Sequence, residues 1–558
     1  MHIRVQQLNP IIGDIEVNTS LILEALHTAE KAGVDLLILT ELIVCGYSPG
    51  DLLELNAFLD SIEKANQKII EATKSTALIF GSVTANGNTG RPIFNAALMG
   101  HKGRKVAEVH KALLPTYDVF DEDRYFERSQ TFNCVEWEGQ KLGITICEDI
   151  WANNSSVQYH TYPVDPITEL AQKGADAIIN LSASPFTVTK SEEREQMLKG
   201  HVQKTVIPVF YANQVGGNTE LVSDGDSMVL DYNAQIIARA PLFEPAFLDT
   251  EWDFESQLIN SKPSQTAQVP PKNERIFKAL TLGLKDYLRK TGVATNVIIG
   301  LSGGIDSALV ACIAAEALGP QNVRAVAMPS DFSSEGSVTD AQKLADNLSI
   351  KLHKLPVKDI YEQIIETLQP LFKDTPFGVA EENIQSRARG MLLMAISNKF
   401  GGLVLNTSNK SELATGYCTL YGDMNGALAT ISDLYKTEVL ELAEWLNNAY
   451  YKEEIIPRAI IEKPPSAELR PDQKDSDSLP EYEKLDTILQ AYIEEQKSAT
   501  EIEADGFDRK LVKKIIRLVD QNEHKRFQAA PGLKVHSKAF GRGRRWPLTQ
   551  QWTNTVLE

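Results

Sequence analysis

The stretch VIIGLSGGIDSALV, residues 297–310, decides the fold of the carboxyl-terminal half of the chain. Its first residues predict a short buried strand, a glycine-rich turn follows, and the apolar sequence after the turn predicts a helix. Glycines let the backbone approach a ligand closely, and the first N–H groups of a helix attract an anion. A loop ending in Gly-Lys-Ser/Thr is excluded, because Ile305 and Asp306 stand where that motif needs its last residues. The turn therefore predicts a phosphate site of another kind.

Apolar runs that read as strands alternate with helical patterns along most of the chain, which indicates an α/β protein. One of the helical patterns starts near Val17, with Asn18 and Thr19 as candidate caps. The polar, proline-bearing segment at residues 260–274 lacks any period and predicts a linker. We place domains at residues 1–260 and 273–558, joined by a linker at 261–272. A second charged, proline-rich segment at 463–484 predicts a mobile loop.

Composition and charge limit the classes of function. The chain has 558 residues, more than one ordinary core accommodates, and its formal net charge is −19. An acidic chain of this kind argues against nucleic acid and anionic membrane as partners. Five cysteines without a C-x-x-C pair favour a reducing compartment, and the sequence shows no signal peptide or membrane-spanning run. We expect a cytoplasmic protein without nucleic-acid or membrane partners.

Three residues with complementary chemistry stand at the ends of predicted elements in the amino-terminal half: Glu41, Lys111 and Cys147. A cysteine attacks a carbonyl carbon as thiolate, so it needs a base to take its proton and a cation to favour its charged form. Glu41 can act as the base and Lys111 as the cation. Lys111 and the backbone N–H after Cys147 could also stabilise the oxyanion of a tetrahedral intermediate. Each residue alone is more often structural, so the neighbouring sequence decides.

That neighbouring sequence resembles the nitrilase, or carbon–nitrogen hydrolase, superfamily over about residues 1–250. The resemblance rests on TELIVCGYSPGDLL, HKALLPTYDVFDEDRYF, GITICEDIW and NLSASPF. It implies an αββα sandwich with Glu41 as general base, Lys111 as oxyanion support and Cys147 as nucleophile. Three further positions match residues that contact glutamine in the glutaminase members: Tyr117, Ser184 and Lys190. Arginine is common at the last position, and lysine offers a point charge where arginine would grip a carboxylate with two parallel bonds.

The motif SGGIDS resembles the pyrophosphatase-type ATP loop of adenylating enzymes, which cut ATP between its α- and β-phosphates. Such a loop holds the departing pyrophosphate with backbone N–H groups and serine hydroxyls, which explains why no lysine is needed for a γ-phosphate. The resemblance implies a doubly wound parallel-sheet domain of the adenine nucleotide α-hydrolase-like (PP-loop) type, with Mg²⁺ near Asp306. The implied ATP contacts are Gly300, Leu301, Ser302, Gly303, Gly304, Ile305, Asp306, Ser307 and Thr407.

The segments EENIQSRARGMLLM, NTSNKSELATGY and EHKR resemble the NAD synthetase family, and with the amino-terminal half the chain resembles its glutamine-dependent branch. This resemblance implies that deamido-NAD is amidated with ATP and glutamine as the other substrates, giving NAD, AMP, pyrophosphate and glutamate. It implies deamido-NAD contacts at Asn383, Glu412 and Lys525, with Glu412 a ligand of Mg²⁺, of deamido-NAD or of both. A homo-oligomer is expected on the same ground.

Two alternatives stay open from the sequence. One is another amide-forming, adenylating ligase with a different acceptor, and the other is a non-catalytic chain that uses the same motifs to sense nucleotides. Arg387 and Arg389 are phosphate-binding candidates, with solvated helix charges as the equal alternative. The basic stretch KAFGRGRRW near the end predicts an interface or a solvated end rather than a nucleic-acid site, because the chain as a whole is acidic.

Overall fold

A computed structural model of the chain describes residues 1–152, 162–261, 265–466, 468–470, 473, 475 and 479–557. It forms two compact units, Met1–Pro271 and Lys272–Glu558. The predicted linker includes residues 262–264, and the predicted loop at 463–484 includes residues 467, 471–472, 474 and 476–478, all outside the described residues. The boundaries predicted from the sequence and the mobility of that loop stay predictions. Within the described ranges, no helix combines the length and the apolar composition that crossing a bilayer requires.

In its described residues, the first unit contains four α-helices and fifteen strands. Its helices are α1 (Ile15–Lys31), α2 (Asn56–Ala72), α3 (Pro166–Gln172) and α4 (Lys190–Thr205). Its strands are β1 (His2–Gln7), β2 (Leu36–Ile38), β3 (Ala77–Ala85), β4 (Ile93–His101), β5 (Arg104–His110), β6 (Val135–Trp137), β7 (Gln140–Ile146), β8 (Ala177–Ser182), β9 (Val209–Asn213), β10 (Val215–Asn218), β11 (Leu221–Asp224), β12 (Met228–Leu230), β13 (Ile236–Arg239), β14 (Ala246–Asp253) and β15 (Leu258–Ser261). Short 3₁₀ helices span Gly50–Glu54, Glu122–Arg124 and Cys147–Ile150.

Two sheets form the centre of this unit. One has the order β15-β14-β1-β2-β3-β4-β5 and the other β13-β12-β9-β8-β7-β6. Strand β2 shows why the layers stack: Leu36 and Ile38 join the core between the sheets, whereas Leu37 packs into the core that α1 and α2 cover. Successive strand residues point to opposite faces, so a strand buried on both sides needs apolar residues throughout. The predicted αββα sandwich is confirmed.

The start of α1 differs from the prediction. The helix begins at Ile15, and the Asp14 side chain caps it by accepting a hydrogen bond from the Val17 backbone N–H. Asn18 lies inside the helix, where its amide bonds the backbone N–H and carbonyl of Ile11. Asn18 is a favoured cap residue, but here its side chain satisfies a neighbouring loop instead. Asn18 and Thr19 as caps are therefore wrong.

The second unit is built around one sheet. Its helices are α5 (Lys272–Thr291), α6 (Ile305–Leu318), α7 (Glu335–Asn347), α8 (Lys358–Phe372), α9 (Val379–Phe400), α10 (Lys410–Thr415), α11 (Lys436–Trp445), α12 (Arg458–Glu462), α13 (Tyr482–Ile493), α14 (Ala499–Ala504), α15 (Arg509–Gln521), α16 (Glu523–Arg526) and α17 (Trp552–Leu557). Its strands are β16 (Val297–Gly300), β17 (Val323–Ala327), β18 (Lys351–Lys354), β19 (Leu403–Asn406) and β20 (Leu428–Ala429). A 3₁₀ turn at Pro320–Asn322 and a π-helical turn at Leu446–Tyr451 complete the elements.

The five strands of this sheet run parallel in the order β18-β17-β16-β19-β20. The chain moves outward from β16 to β18 on one side and then returns to build β19 and β20 on the other. Strand order therefore reverses between β16 and β19, and ligands of such sheets bind where the order reverses, beyond the carboxyl ends of the strands. The loop after β16 is the glycine-rich turn of the opening stretch. The predicted doubly wound parallel sheet is confirmed.

A buried histidine links several segments of the second unit. The Nδ1 of His536 donates to the Asp433 carbonyl at 2.6 Å, and its Nε2 donates to Glu438 at 3.1 Å. Because both partners accept, both ring nitrogens carry hydrogen and the imidazole is charged. Burial opposes that charge, but the bonds to Asp433 and Glu438 outweigh it and raise the pKa of His536 to about 9. His536 therefore stabilises the folded state most at pH values where its imidazole is charged in both the folded and the unfolded state.

We expect His536→Gln to remove a pH-dependent part of the stability of this unit. The pKa is higher folded than unfolded, so the stabilisation is full below pH ~6.5 and is lost as pH rises through about 9. That difference corresponds to roughly 3 kcal/mol. The free energy of unfolding, measured with urea, should decrease less between pH 6 and pH 9.5 in the variant than in the wild type. His524→Gln, at an exposed position, is the control. An unchanged pH dependence in His536→Gln would contradict this role.

Two candidate active sites

The first site lies in the amino-terminal unit, where Glu41, Lys111 and Cys147 are brought together. Glu41 follows β2, Lys111 follows β5 and Cys147 follows β7, and all three are buried. The Lys111 ammonium lies 2.8 Å from Glu41 Oε1. Asn95 also donates to that oxygen, and the Ala183 backbone N–H donates to Oε2 at 3.0 Å. The carboxylate is therefore held in one orientation by donors on both of its oxygens.

The thiol of Cys147 is set up to give its proton to a base. Burial raises the pKa of Cys147 well above its usual value, the Glu41 carboxylate raises it further, and Lys111 opposes the shift. The resting group is therefore the thiol, and attack requires a base such as Glu41. Burial likewise opposes the charge of Lys111, but Glu122 and Glu41 hold the pKa of Lys111 well above its usual value. The cation thus remains charged beside a neutral nucleophile.

Local backbone geometry aims the nucleophile. Cys147 has φ +43°, a left-handed conformation that is uncommon for a residue with a side chain, at the point where β7 turns into a 3₁₀ helix. Asp149 fixes this turn: its carboxylate accepts from Ile146 N at 3.0 Å and from Ala112 and Leu113 N at 3.0 and 2.8 Å. The turn that carries the thiol is therefore tied directly to the segment that carries Lys111.

A second buried carboxylate contacts Lys111. The Oε1 of Glu122 lies 2.8 Å from the Lys111 ammonium and accepts a hydrogen bond from the Tyr47 hydroxyl at 2.8 Å. Burial raises the pKa of Glu122 to about 7, although Lys111 opposes the shift. The Lys111 ammonium thus forms ion pairs with two carboxylates, which restrict the orientation of its side chain. Glu122 is not among the site residues predicted from the sequence, although it lies in the motif HKALLPTYDVFDEDRYF.

The three predicted glutamine contacts lie around the same site. The Tyr117 hydroxyl donates to both oxygens of Glu148 at 3.1 Å, and Glu148 is the neighbour of Cys147 in the chain. Ser184 is buried beside Ala183, and its N–H donates to Asn213 Oδ1 at 2.8 Å. Tyr117 therefore contacts the residue that follows Cys147. Ser184 follows Ala183, whose backbone N–H donates to Glu41.

Lys190, the third predicted contact, begins α4. Its ammonium lies 3.8 Å from the centre of the Trp151 ring and 3.7 Å from Glu193 Oε2. Burial lowers the pKa of Lys190, while Glu193 and the nearby Glu148 oppose the shift. The lysine therefore presents a partly desolvated point charge close to the cysteine, not the fork of donors that arginine would offer.

The second site is a cavity of about 280 Å³ at the carboxyl ends of β16, β17 and β19. Most predicted ATP contacts line this cavity: Gly300, Leu301, Ser302, Gly304, Ile305, Asp306, Ser307 and Thr407. Gly303 has φ +78°, and a Cβ there would lie 2.2 Å from the Ser337 carbonyl oxygen, so only glycine fits. The Ser302 and Ser307 hydroxyls lie 3.1 Å apart, and Ser302 Oγ accepts from Gly304 N at 3.2 Å. The loop therefore places hydroxyls and a helix start at one point of the cavity.

Two carboxylates face each other across a lysine in this cavity. Asp306 Oδ2 lies 2.5 Å and Glu412 Oε1 3.6 Å from the Lys436 ammonium, and Asn409 donates to Asp306 Oδ1 at 2.9 Å. Burial and the negative charge of Asp306 raise the pKa of Glu412 to about 8. The closeness of Asp306 therefore disfavours a second negative charge on Glu412, an effect that Lys436 only partly offsets.

This donor set fits Mg²⁺ that is shared with a substrate. Among the residues that the structure describes, no cluster of three or more His, Cys, Asp or Glu side chains could hold a metal by itself. Mg²⁺ is usually bound through one or two carboxylates together with phosphate oxygens and water. Asp306 and Glu412 would provide the two carboxylates, and a triphosphate on the adjacent loop would provide the rest.

Two predicted deamido-NAD contacts lie outside the residues that line the cavity. Asn383 Oδ1 accepts from the Thr419 hydroxyl at 2.8 Å, and the Lys525 ammonium donates to the carbonyls of Gly416 and Cys418 at 2.6 and 2.9 Å. Both side chains therefore hold the segment at 416–419, part of which lines the cavity. Their direct contact with substrate stays a prediction.

Comparisons with known proteins agree over the whole chain. The protein family described as carbon-nitrogen hydrolase matches residues 2–256, and NAD synthase matches residues 276–529. The glutamine-dependent NAD⁺ synthetase of Synechocystis sp. is 46% identical over 554 residues, covering 98% of both chains. The chain belongs to the glutamine-dependent NAD⁺ synthetase family. The family member of Thermotoga maritima is 41% identical and covers 99% of each chain.

Solved structures of glutamine-dependent NAD⁺ synthetases support the same assignment. The Acinetobacter baumannii enzyme, in complex with ADP, has a TM-score of 0.78 at 38% identity and covers 99% of both chains. The Cytophaga hutchinsonii enzyme has a TM-score of 0.82 at 21% identity, with coverage of 100% of this chain and 99% of that chain, and so shows the shared fold. Membership of this ligase family, which uses ATP as a substrate, decides between the alternatives that the sequence motifs left open.

Proposed function

We propose that this member of the glutamine-dependent NAD⁺ synthetase family converts deamido-NAD, ATP and glutamine into NAD, AMP, pyrophosphate and glutamate. The observation that carries the proposal is that one chain holds two complete reaction sites. One is the buried Cys147, Lys111 and Glu41 group, and the other is the SGGIDS loop at the switch point of a parallel sheet. The first suits release of ammonia from an amide and the second suits adenylation of a carboxylate. The two half-reactions together form an amide.

In the amino-terminal site, Glu41 takes the proton of Cys147 as the sulfur attacks the side-chain amide carbon of glutamine. The carbonyl oxygen becomes negative and is stabilised by Lys111. Glu41 then returns the proton to the leaving nitrogen, so that ammonia departs and a thioester remains on Cys147. Water activated by Glu41 hydrolyses the thioester, releases glutamate and restores the thiol. Glu122 holds Lys111 in position through a second ion pair.

Glutamine specificity requires groups that recognise both ends of an amino acid. We assign the substrate α-carboxylate to Lys190 and the α-ammonium to Glu148, whose carboxylate Tyr117 and Tyr162 hold by hydrogen bonds. Ser184 lies on the loop next to Ala183, which contacts the base, and completes the proposed pocket. A buried carboxylate and a partly desolvated ammonium near the thiol favour a zwitterionic substrate over a simple amide.

In the carboxyl-terminal site, the nicotinate carboxylate of deamido-NAD attacks the α-phosphorus of ATP and pyrophosphate leaves. The loop from Gly300 to Ser307 holds the pyrophosphate through backbone N–H groups and the Ser302 and Ser307 hydroxyls. Mg²⁺, which Asp306 and Glu412 would hold, supplies neutralisation of phosphate charge when it is bound. Ammonia then attacks the acyl carbon of the adenylate and AMP leaves. Thr407 is the proposed further ATP contact, and Asn383, Glu412 and Lys525 are those to deamido-NAD.

Incubation of the purified chain with ATP, glutamine and deamido-NAD tests this function. We expect NAD and AMP to appear in equal amounts, with one glutamate released for each NAD. Omission of deamido-NAD should stop AMP formation. AMP without NAD, or NAD formed with no dependence on ATP, would contradict the proposal. A cytoplasmic location stays a prediction from the sequence.

We also propose that the chain forms a homo-oligomer through α8 and α9. Large apolar side chains are exposed in this region: Leu371, Phe377, Val379, Met391, Met394 and Phe400. A helix that carries apolar residues around its circumference is normally covered on all sides. A second copy of the chain would cover it.

The substitution Met391→Glu with Met394→Glu should therefore weaken self-association, because two charges three residues apart lie on the same face of α9. Sedimentation velocity should show the wild type at twice the chain mass or more and the variant as single chains. Met391→Leu with Met394→Leu keeps the apolar surface and should sediment as the wild type does. A wild-type protein that sediments as a single chain would contradict this interface.

A further inference from the structure

Arg389 lines the second cavity from α9. Its Nε donates to the Met328 carbonyl at 3.0 Å, just beyond the carboxyl end of β17. The neighbouring Gly390 fixes the helix at this point, since a Cβ there would lie 2.2 Å from Asn425 Nδ2 and 2.9 Å from the Tyr421 carbonyl. Arg389 therefore lies on a tightly packed part of α9, and the hydrogen bond to the Met328 carbonyl orients its guanidinium. A cation fixed in this way is organised before a ligand arrives.

Among the residues that the structure describes, three cations line the cavity, and two of them are paired with carboxylates. Lys436 bridges Asp306 and Glu412, and Lys463 lies 2.6 Å from Glu468 Oε1 and also contacts the Ser337 hydroxyl. Arg389 differs, because no carboxylate oxygen in the described part of the chain lies within 4.0 Å of its guanidinium nitrogens. In the described part of the chain, the acidic residues that line the same cavity are Asp306, Glu412, Asp423, Glu468 and Asp475. An acidic cavity that accepts a polyanion needs a cation that its own carboxylates have not neutralised.

The chemistry of the Arg389 side chain limits what it can bind. A guanidinium has five N–H donors in a planar fork, and the bond to Met328 uses one. Burial lowers the pKa of Arg389, while Glu468 and Asp423 oppose the shift from a longer distance. The guanidinium is partly buried and lines the cavity, and a phosphate there would satisfy two of its remaining donors with parallel charge-assisted bonds. The arrangement favours a phosphate over the base or sugar of a nucleotide.

We propose that Arg389 binds a phosphate group of ATP from the side of the cavity that α9 forms, a further binding role that rests on the proposed function. The glycine loop and Arg389 then hold the triphosphate from two different elements of the fold. Arg387, two residues earlier, does not share this position: it is exposed, lies outside the cavity and donates to the Leu420 carbonyl at 3.2 Å. Of the two arginines in QSRARG, Arg389 is the phosphate-binding residue for ATP.

Equilibrium binding to the full-length protein tests this role with three probes: ATP, inorganic pyrophosphate and adenosine. We expect Arg389→Gln to weaken binding of ATP and of pyrophosphate by about 10- to 100-fold, the loss expected for charge-assisted hydrogen bonds to a phosphate. Adenosine, which lacks phosphate, should bind as it does to the wild type. Arg389→Lys keeps the charge without the fork and should recover part of the loss. Arg517→Gln, at an exposed position on α15, is the control and should bind all three probes normally.

Equal losses for adenosine and ATP in Arg389→Gln would overturn the proposal, since the guanidinium would then contact the nucleoside. Unchanged affinity for ATP and pyrophosphate would overturn it as well. Melting curves show whether each variant is folded. If Arg389→Gln does not fold, the affinities of Arg389→Lys for ATP, pyrophosphate and adenosine test the proposal in its place. Binding is measured without turnover, so the result is independent of whether the wild-type chain makes NAD. Failure of the proposed function would appear in the NAD assay of the wild type instead.

Discussion

Cys147→Ala should abolish glutamine-dependent NAD synthesis and leave synthesis from ammonium salt almost unchanged. Removing a covalent nucleophile costs about 10⁴-fold or more in turnover, because the remaining groups cannot form the thioester. The carboxyl-terminal unit keeps its own loop, carboxylates and cavity, so it needs only another source of ammonia. Glutamate release and NAD formation, measured with each nitrogen source, give the two rates separately.

Cys134→Ala is the matched control for this experiment. Cys134 lies in the same unit, and its thiol contacts the Leu170 carbonyl rather than any of the three proposed catalytic residues. We expect both nitrogen sources to support wild-type rates in this variant. Loss of ammonium-dependent synthesis in a folded Cys147→Ala protein would contradict the division into two sites. Glutamine-dependent synthesis that survives in that variant would contradict the role of the thiol.

The opposite pattern is expected for Asp306→Asn. NAD synthesis should fall by about 10²- to 10³-fold with glutamine and with ammonium alike, because the change removes a negative charge at the phosphate loop. Asp306 accepts from Asn409 through one oxygen and pairs with Lys436 through the other, so the asparagine disturbs both contacts. Glutamine hydrolysis measured alone should remain within about twofold of the wild type, since the thiol and its base are untouched.

Glu316→Gln is the control for the loss of one carboxylate from the same helix. Glu316 is exposed near the far end of α6, away from the loop. This variant should make NAD at the wild-type rate. If Asp306→Asn slowed synthesis with glutamine but not with ammonium, the residue would act in nitrogen supply and its proposed place at the phosphates would be wrong.

Much of this fold could be predicted from local sequence. The opening stretch at 297–310 combines a strand, a glycine turn and a helix in one uninterrupted run, so its conformation follows from neighbouring residues. Glu41, Lys111 and Cys147 are indicated by position only weakly, and the resemblance of the surrounding motifs to the carbon–nitrogen hydrolases singles them out. Each directly follows or lies close to the end of a predicted strand, and strand ends in layered α/β folds are where side chains from distant segments converge.

Other parts of the sites depend on tertiary contacts that no local pattern specifies. Glu122 and Glu148 look like ordinary charges in an acidic chain, and only the fold places one against Lys111 and the other between two tyrosines. Lys436 is similar, since its neighbour Asp306 is 130 residues away in the chain. The prediction that Asn18 caps α1 is wrong for a related reason. Asn18 has the chemistry of a cap, but its side chain bonds the backbone of Ile11 in the loop next to the helix.

The arginines of QSRARG show what structure adds to a motif. Their spacing of two residues puts them on different sides of a helix, and sequence alone gives no reason to prefer either. The structure separates them because β17 ends beside Arg389 and leaves Arg387 exposed. A basic motif can therefore contain one residue that lines a cavity and one that lies on the surface.

We propose that the loop after β16 binds the leaving pyrophosphate, so that ATP is cut between its α- and β-phosphates. The most direct measurement uses ATP labelled at the α-phosphate and at the γ-phosphate in parallel reactions with deamido-NAD and glutamine. The account predicts that the α label appears in AMP and the γ label in pyrophosphate, each in step with NAD. Recovery of the α label in ADP and the γ label in orthophosphate would contradict it.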